Sequence, residues 1–448
     1  MSSLVRTLRQ RDLYLLFVGS VIGSGIFLTP GLILRQLDGS VGWSMVVWIV
    51  GGGLSLLGAL TYAELAAFNP EAGGLYCFIR DGFGRAAAFL YGWCLFLVIA
   101  SGSVAALARA FTQYLGEALR YVGLGLNPTG EKIVAVLMIA VVTAVNVWGT
   151  RKSSDMQNFT TLIKGAVIVV LSGVLLALGQ QGSQIFSAMG TTQDKWALLT
   201  AFGLAMINVL WAYEGWQFGT YSAGEVVEPQ SAFPKAFLLG SLTLVGLYLV
   251  AIVAYLFALG PSGATASNAI AAQAVAVVLG KKAGVIVALT ILISTFSAAN
   301  SVALTAPRVF YAMAHDNLFF KGLAEVHPRF NTPAAAIVAL GVWSAVLACA
   351  GNFAQLIGGV IFIGWVFYGL GAAAIFPIRR ASGGKPIPYR VPGYPWTPIV
   401  FVAAAAAIVL NAVWSAVSNP GGFKNLVVAL VLFALGVPAY FFWKRKPA

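Results

Sequence analysis

The chain has 448 residues, of which 59% are hydrophobic and 9% charged, with a mean hydropathy of +0.87 and a formal net charge of +13 at pH 7. So little charge cannot cover the surface of a soluble protein, which excludes that class and places the chain in a bilayer. The basic excess, taken by position, follows membrane topology and excludes nucleic acid as a partner.

Apolar runs of the roughly 20 residues that span hydrocarbon begin near Leu13, Val41, Gly84, Ile133, Met156, Trp196, Phe237, Gly284, Pro333, Ile357, Thr397 and Leu426. A membrane barrel would instead alternate over segments of about ten residues. The pattern predicts an all-α polytopic membrane protein of about twelve transmembrane helices. With a cytoplasmic N-terminus, eighteen of the 27 basic residues fall on the inner side, among them Lys385, Arg445 and Lys446. Seven fall outside, among them Lys281 and Lys424, and Arg109 and Lys164 lie within helices. That excess is the positive-inside pattern for a protein with both termini in the cytoplasm. No small-residue cleavage site follows the first apolar run, so it is expected to be a retained helix. Cys77, Cys94 and Cys349 are odd in number and lie in or beside apolar runs, which argues against a disulfide framework. Two histidines, His315 and His327, offer little for a metal site, and neither a metal nor a cofactor is expected.

Predicted helix 1 contains "GSVIGSGIFLTPG", Gly19 to Gly31. Unwound backbone at membrane depth is tolerated only where it is buried in protein or lines a cavity. Gly23 and Gly25 can adopt backbone angles closed to other residues and leave room for a ligand. A second half starting near Ile26 would then present free N–H groups and a positive dipole end to a carboxylate. Close helix packing explains the same glycines equally well. Predicted helix 5 carries Lys164 about eight residues into its run, or roughly 12 Å at 1.5 Å per residue. That depth strains a snorkelling account; a fixed cation could instead hold the free carbonyls of a broken helix 1.

Predicted helix 6 contains "NVLWAYEGWQFGTYSAGE", Asn208 to Glu225, with Gly215 and Gly219 as interruptions and a carboxylate at Glu214. Many transporters are built from two repeats, each opening with an interrupted helix. If helices 1 to 5 and 6 to 10 are such repeats, the two interruptions correspond. Glu214 reads as a functional acid because intramembrane carboxylates are costly, or as a structural one bonded to neighbouring helices. Predicted helix 8 places Ser294, Ser297 and Ser301 on one face. They could complete the support of helix 1, or form ordinary hydrogen bonds between helices.

"VIGSGIF", "NPEAGGLYCFIRDGFG", Lys164, "WAYEGW" and "NSVALTAPRVFYAMAHDN", in this order, resemble the amino acid, polyamine and organocation transporter superfamily, and within it the L-type amino acid transporters. The resemblance implies the fold of sodium-coupled neurotransmitter transporters: inverted five-helix repeats over 11–180 and 195–378, then two helices over 394–443. It also implies a site. Gly23, Ser24 and Gly25 would face the substrate, with Ser24 and Gly25 donating to its carboxylate. Carbonyls around Val21, Trp211 and Glu214 would receive its ammonium group. Trp211 would close over it, unless that ring merely packs. Lys164 would stand where a sodium ion stands in sodium-dependent relatives; Ser294 and Ser297, from the spacing in helix 8, are expected beside it in the coupling region.

Two departures qualify this pattern. Glu214 replaces a small residue, which points to cationic substrates, to a proton or to packing. The loop from Arg120 to Lys132 lacks the cysteine through which animal members attach a glycoprotein, so no disulfide-linked heavy chain is expected. The expected function is sodium-independent exchange of neutral L-amino acids by an integral protein of the plasma or inner membrane, with amino acid and lipid as its partners. Proton-coupled symport, with Lys164 or Glu214 titrating, is the alternative. An ion channel would need charge or carbonyl rings, and an enzyme a nucleophile, base or metal cluster; neither pattern is visible.

Overall fold

The computed structural model describes residues 5–120, 123–190, 194–384, 386–418 and 420–444. Lys385, Arg445 and Lys446 of the basic face lie outside the described residues, as do the side chains of Lys281 and Lys424. The chain is 82% helical, and among the described residues the sole β pairing is one isolated bridge, between Leu8 and Val226. Helices dominate because backbone groups in hydrocarbon must be satisfied within their own segment.

The first span is broken into α1a (Gln10–Val21) and α1b (Gly25–Gln36), bent by 41°. There follow α2 (Val41–Phe68), α3 (Arg85–Arg120), α4 (Pro128–Val147), α5 (Thr150–Leu178) and α6 (Lys195–Ala212). After these come α7 (Pro229–Ala266), α8 (Lys281–Thr305), α9 (Ala334–Ala350), α10 (Phe353–Ala381), α11 (Trp396–Ser418) and α12 (Pro420–Lys444). Every predicted run has its helix. Several start earlier than predicted, because the opening turns of α5, α7 and α12 are polar or broken by proline and so lie outside the apolar run. Among the described residues, ten helices are long and apolar enough to cross a bilayer singly. The bent pair makes an eleventh, and α9, with 17 residues, is apolar but shorter than these.

Burial sorts the helices. The most apolar window of α3 is 72% buried, whereas that of α11 is 11% buried, so α3 is central and α11 faces lipid. Around the centre α2 packs on α7, α3 on α8, α4 on α9 and α1b on α6. A short amphipathic helix, Leu75–Phe83, caps the face that also carries the termini. There Arg80 pairs with Glu71, Asp81 and Asp316.

The second break lies in a different conformation from the first. α6 stops at Ala212, Tyr213–Gln217 form turns, and Phe218–Glu225 continue as a 3-10 helix. Gly215, at φ +117°, needs the freedom of glycine. Gly219 does not interrupt: it sits inside the 3-10 turn with no positive φ, and a Cβ there would press on Leu13 and Phe237, each 3.2 Å away. Gly23 and Gly25 likewise take no positive φ, so the expectation of special backbone angles there is corrected. Their role is steric. A Cβ on Gly25 would lie 2.4 Å from the Ala212 Cα, which puts the two breaks in backbone contact.

Candidate functional site

The end of α1a shows how a membrane helix can stop in mid-bilayer. A helix C-terminus leaves its last carbonyls without partners, and buried carbonyls need them. The Val18 carbonyl accepts from the Ile22 N–H. Lys164 Nζ, fully buried on α5, donates to the carbonyls of Gly19 (2.5 Å) and Ile22 (2.6 Å). Ser294 Oγ of α8 donates to Ile22 and Gly23 at 3.2 Å each. Tyr248 OH of α7 donates to the carbonyls of Val21 and Ala212, both 3.1 Å away, and so ties the two breaks together. Lys164 is the fifteenth of the 29 residues of α5, at its middle, and its ammonium is turned inward onto α1a rather than along α5 to an end.

Across the break, Ser24 is the N-cap residue of α1b and no side chain caps that N-terminus. Its first N–H groups have no partner inside the helix. Ser24 Oγ accepts instead from the Trp211 indole Nε1 at 3.3 Å. Ser20 Oγ of α1a donates to the Gly215 carbonyl at 3.0 Å, and a Cβ on Gly215 would come within 2.9 Å of the Ser20 backbone. The Trp211 carbonyl accepts from the N–H groups of Tyr213 and Glu214.

Between these elements lies a cavity of about 20 Å³, space for little more than one water molecule. Val21, Gly23, Ser24, Gly25, Trp211 and Glu214 all line it. The six residues expected around the substrate therefore meet in one place. Ser20, Ser103, Leu107, Phe218, Ala298 and Val302 complete the lining. Sequence reasoning missed these. Ser20 stood inside the quoted stretch, whereas Ser103, Leu107 and Val302 carry no signal that separates them from other small or apolar residues of α3 and α8.

Glu214 is 7% exposed. Its Oε1 accepts from Gln217 Nε2 (2.7 Å) and from Tyr368 OH of α10 (2.5 Å), while its Oε2 is buried without a partner. The acid thus bonds a neighbouring helix and also borders the cavity. Ser294 reaches the break, but Ser297 does not: its Oγ pairs with Thr160 Oγ1 of α5 at 2.8 Å, one turn toward the termini face. Ser301 Oγ is buried and without a partner. Below them a polar cluster joins α5, α8 and α4 through Gln157, Asn300, Ser153 and Asn146, and beyond it Arg308 donates to Thr150 Oγ1. Arg308 is 0% exposed and pairs with Glu225 at 2.7 Å. The N–H groups of Thr7 and Leu8 donate to the Glu225 carbonyl at 2.9 Å, so the N-terminal segment closes this face. On the opposite face the Trp211 ring meets Phe353 edge-on, with centroids 5.9 Å apart.

The cavity brings together the N-terminus of α1b, which no side chain caps, and on its other side the backbone around Trp211 and the Glu214 carboxylate. Residues 8–435 match the family model described as amino acid permease. The chain is 30% identical over 439 residues to the large neutral amino acids transporter small subunit 2 of Homo sapiens, covering 96% of this chain and 80% of that one. It is 27% identical over 436 residues to the serine/threonine exchanger SteT of Bacillus subtilis, covering 97% and 95%. Over 427 residues it is 30% identical to the b(0,+)-type amino acid transporter 1 of Mus musculus, covering 94% and 84%.

Proposed function

The chain belongs to the amino acid permease family and transports amino acids across a membrane, and from that premise we propose that it exchanges neutral L-amino acids without sodium. The α-carboxylate docks on the N–H groups of Ser24 and Gly25 at the head of α1b. The ammonium group meets carbonyls around Val21, Trp211 and Glu214, and Trp211 covers the bound molecule. The observation that carries sodium independence is the Lys164 ammonium on the Gly19 and Ile22 carbonyls. A fixed positive charge at the negative end of the α1a dipole does what a bound cation would do there. Helix against helix, the pairing of α2 with α7, α3 with α8 and α4 with α9 supports inverted repeats over 11–180 and 195–378, with 394–443 as an addition. Rocking between those units exposes the site alternately, and no covalent chemistry is involved.

Both termini are proposed to face the cytoplasm of a plasma or inner membrane, from the basic excess on that face. Cys77, Cys94 and Cys349 are unpaired, and none lies between α3 and α4, which supports a carrier without a covalently attached heavy chain. One observation favours a second reading. The unpartnered Oε2 of Glu214 would accept a proton, as a proton-coupled symporter requires, or the cation of a basic side chain. Uptake of labelled neutral L-amino acids into proteoliposomes separates the readings. Exchange predicts uptake only when unlabelled amino acid is inside, unchanged when potassium replaces sodium. Uptake into empty vesicles under a pH gradient would establish symport instead.

A further inference from the structure

The face that carries the termini holds positive charge that neither the fold nor the central site uses. Arg6 and Arg9, ahead of α1a, and Arg11, in its first turn, are exposed. Together with the first turns of α5 they line a cleft of about 850 Å³, within the range of roughly 300 to 1,000 Å³ typical of ligand pockets. The two carboxylates of the cleft are already engaged. Asp155 pairs with Arg151 at 2.7 Å. Asp12, buried, accepts from Arg151 (3.1 Å), from the Asn158 amide (2.7 Å) and from the Arg9 N–H (2.9 Å). Among the described residues no carboxylate pairs with Arg6, Arg9 or Arg11. Their backbone is held in place: the Thr7 and Leu8 N–H groups donate to the Glu225 carbonyl, and the Val227 N–H donates to the Leu8 carbonyl at 2.8 Å. Three guanidinium groups on an anchored backbone, without a counter-charge, attract an anion.

The opposite wall of the cleft says what kind of anion. Phe159 and Leu162 of α5 line it, and they are 65% and 50% exposed. They lie nine and twelve residues into α5, or ~14 and ~18 Å at 1.5 Å per residue. The cleft therefore runs from the polar surface of the membrane into its hydrocarbon. A free anion in water has no use for such a wall, whereas an amphiphile fills both parts. Basic clusters directly beside the cytoplasmic end of a span attract anionic lipid, and the arginine fork matches two phosphate oxygens at once.

We propose that this cleft binds an anionic phospholipid, with Arg6, Arg9 and Arg11 on its phosphate and Phe159 and Leu162 along its acyl chains. A choline headgroup carries its own cation, which the excess positive charge repels, so the site prefers phosphatidylglycerol to phosphatidylcholine. The bound phosphate joins the start of α1a to α5, beside the Arg151–Asp12 pair that already links them. Assignment to the cytoplasmic leaflet rests on the orientation proposed above; binding itself does not.

The test is native mass spectrometry of the full chain in detergent, titrated with dioleoyl phosphatidylglycerol or dioleoyl phosphatidylcholine. The wild type is expected to retain one phosphatidylglycerol at a concentration at least about tenfold below that needed for phosphatidylcholine. Inorganic phosphate at the same concentration should displace none of it. Arg9→Gln combined with Arg11→Gln should remove the preference, whereas Arg380→Gln, on the same face but outside the cleft, should keep it. Equal retention of the two lipids by the wild type, displacement by phosphate, a preference that survives the double substitution, or an equal loss in Arg380→Gln would each overturn the site. If the double variant does not fold, Arg6→Gln decides: the preference should fall roughly fivefold, and an unchanged preference would overturn the proposal. None of these readouts depends on exchange, so failure here leaves the transport reading intact.

Discussion

Lys164 holds the first break with two charge-assisted contacts, to Gly19 and Ile22. Hydrogen bonds to charged groups contribute about 1.5–3 kcal/mol each. Its loss leaves the Gly19 carbonyl buried without a donor and the Ile22 carbonyl with Ser294 alone. Lys164→Ala is therefore expected to lower exchange in loaded proteoliposomes by at least about tenfold. Ser297→Ala should change it by less than roughly threefold, because that hydroxyl meets Thr160 away from the break; equal losses in the two variants would contradict the assignment. Lys164 and Glu214 were legible in the sequence because a charge inside an apolar run has few explanations. Tyr248 was not, although it bonds both breaks. Nothing local distinguishes it among 15 tyrosines, and its role exists only once α7 is set against α1a and α6.

At the scale of the elements, the two broken spans depend on contact between their backbones. Gly25 meets Ala212 with no room for a methyl group: an added Cβ would lie 2.4 Å from the Cα and 2.7 Å from the Cβ of Ala212. Backbone cannot yield as a flexible side chain does, so the helices must separate. Gly25→Ala is expected to abolish exchange, while Gly165→Ala, where an added Cβ meets nothing within 4 Å, should retain it. Exchange surviving in Gly25→Ala would show that the breaks do not need this approach. The apolar runs were readable because hydrocarbon imposes a length and a composition on every span. The kind of break was not. Gly215 and Gly219 look alike in sequence, yet only Gly215 takes a positive φ, since the turn after Ala212 is decided by the packing of Ser20 against it.

At the scale of the whole molecule, contacts on each face lie across the way to the central cavity. Arg308 and Glu225 with the N-terminal segment bridge the face of the termini, and Trp211 meets Phe353 on the other. The central cavity of about 20 Å³ is too small for any amino acid, so transport requires one set of contacts to part while the other holds. The contacts of α2 with α7, α3 with α8 and α4 with α9 are the packing that the proposed two-unit motion acts across. Only the positions of the two interruptions hinted at such units in the sequence, and no residue similarity between the halves marked them. The central claim is that the breaks grip both charges of the amino acid backbone. Competition against labelled substrate by the amino acid, its methyl ester and its N-acetyl form tests it most directly. The ester lacks the carboxylate charge and the N-acetyl form lacks the ammonium, and each lost charge-assisted contact is worth about 1.5–3 kcal/mol. Both derivatives are predicted to compete roughly tenfold to a hundredfold more weakly than the parent; competition equal to that of the parent amino acid by either derivative would contradict the account.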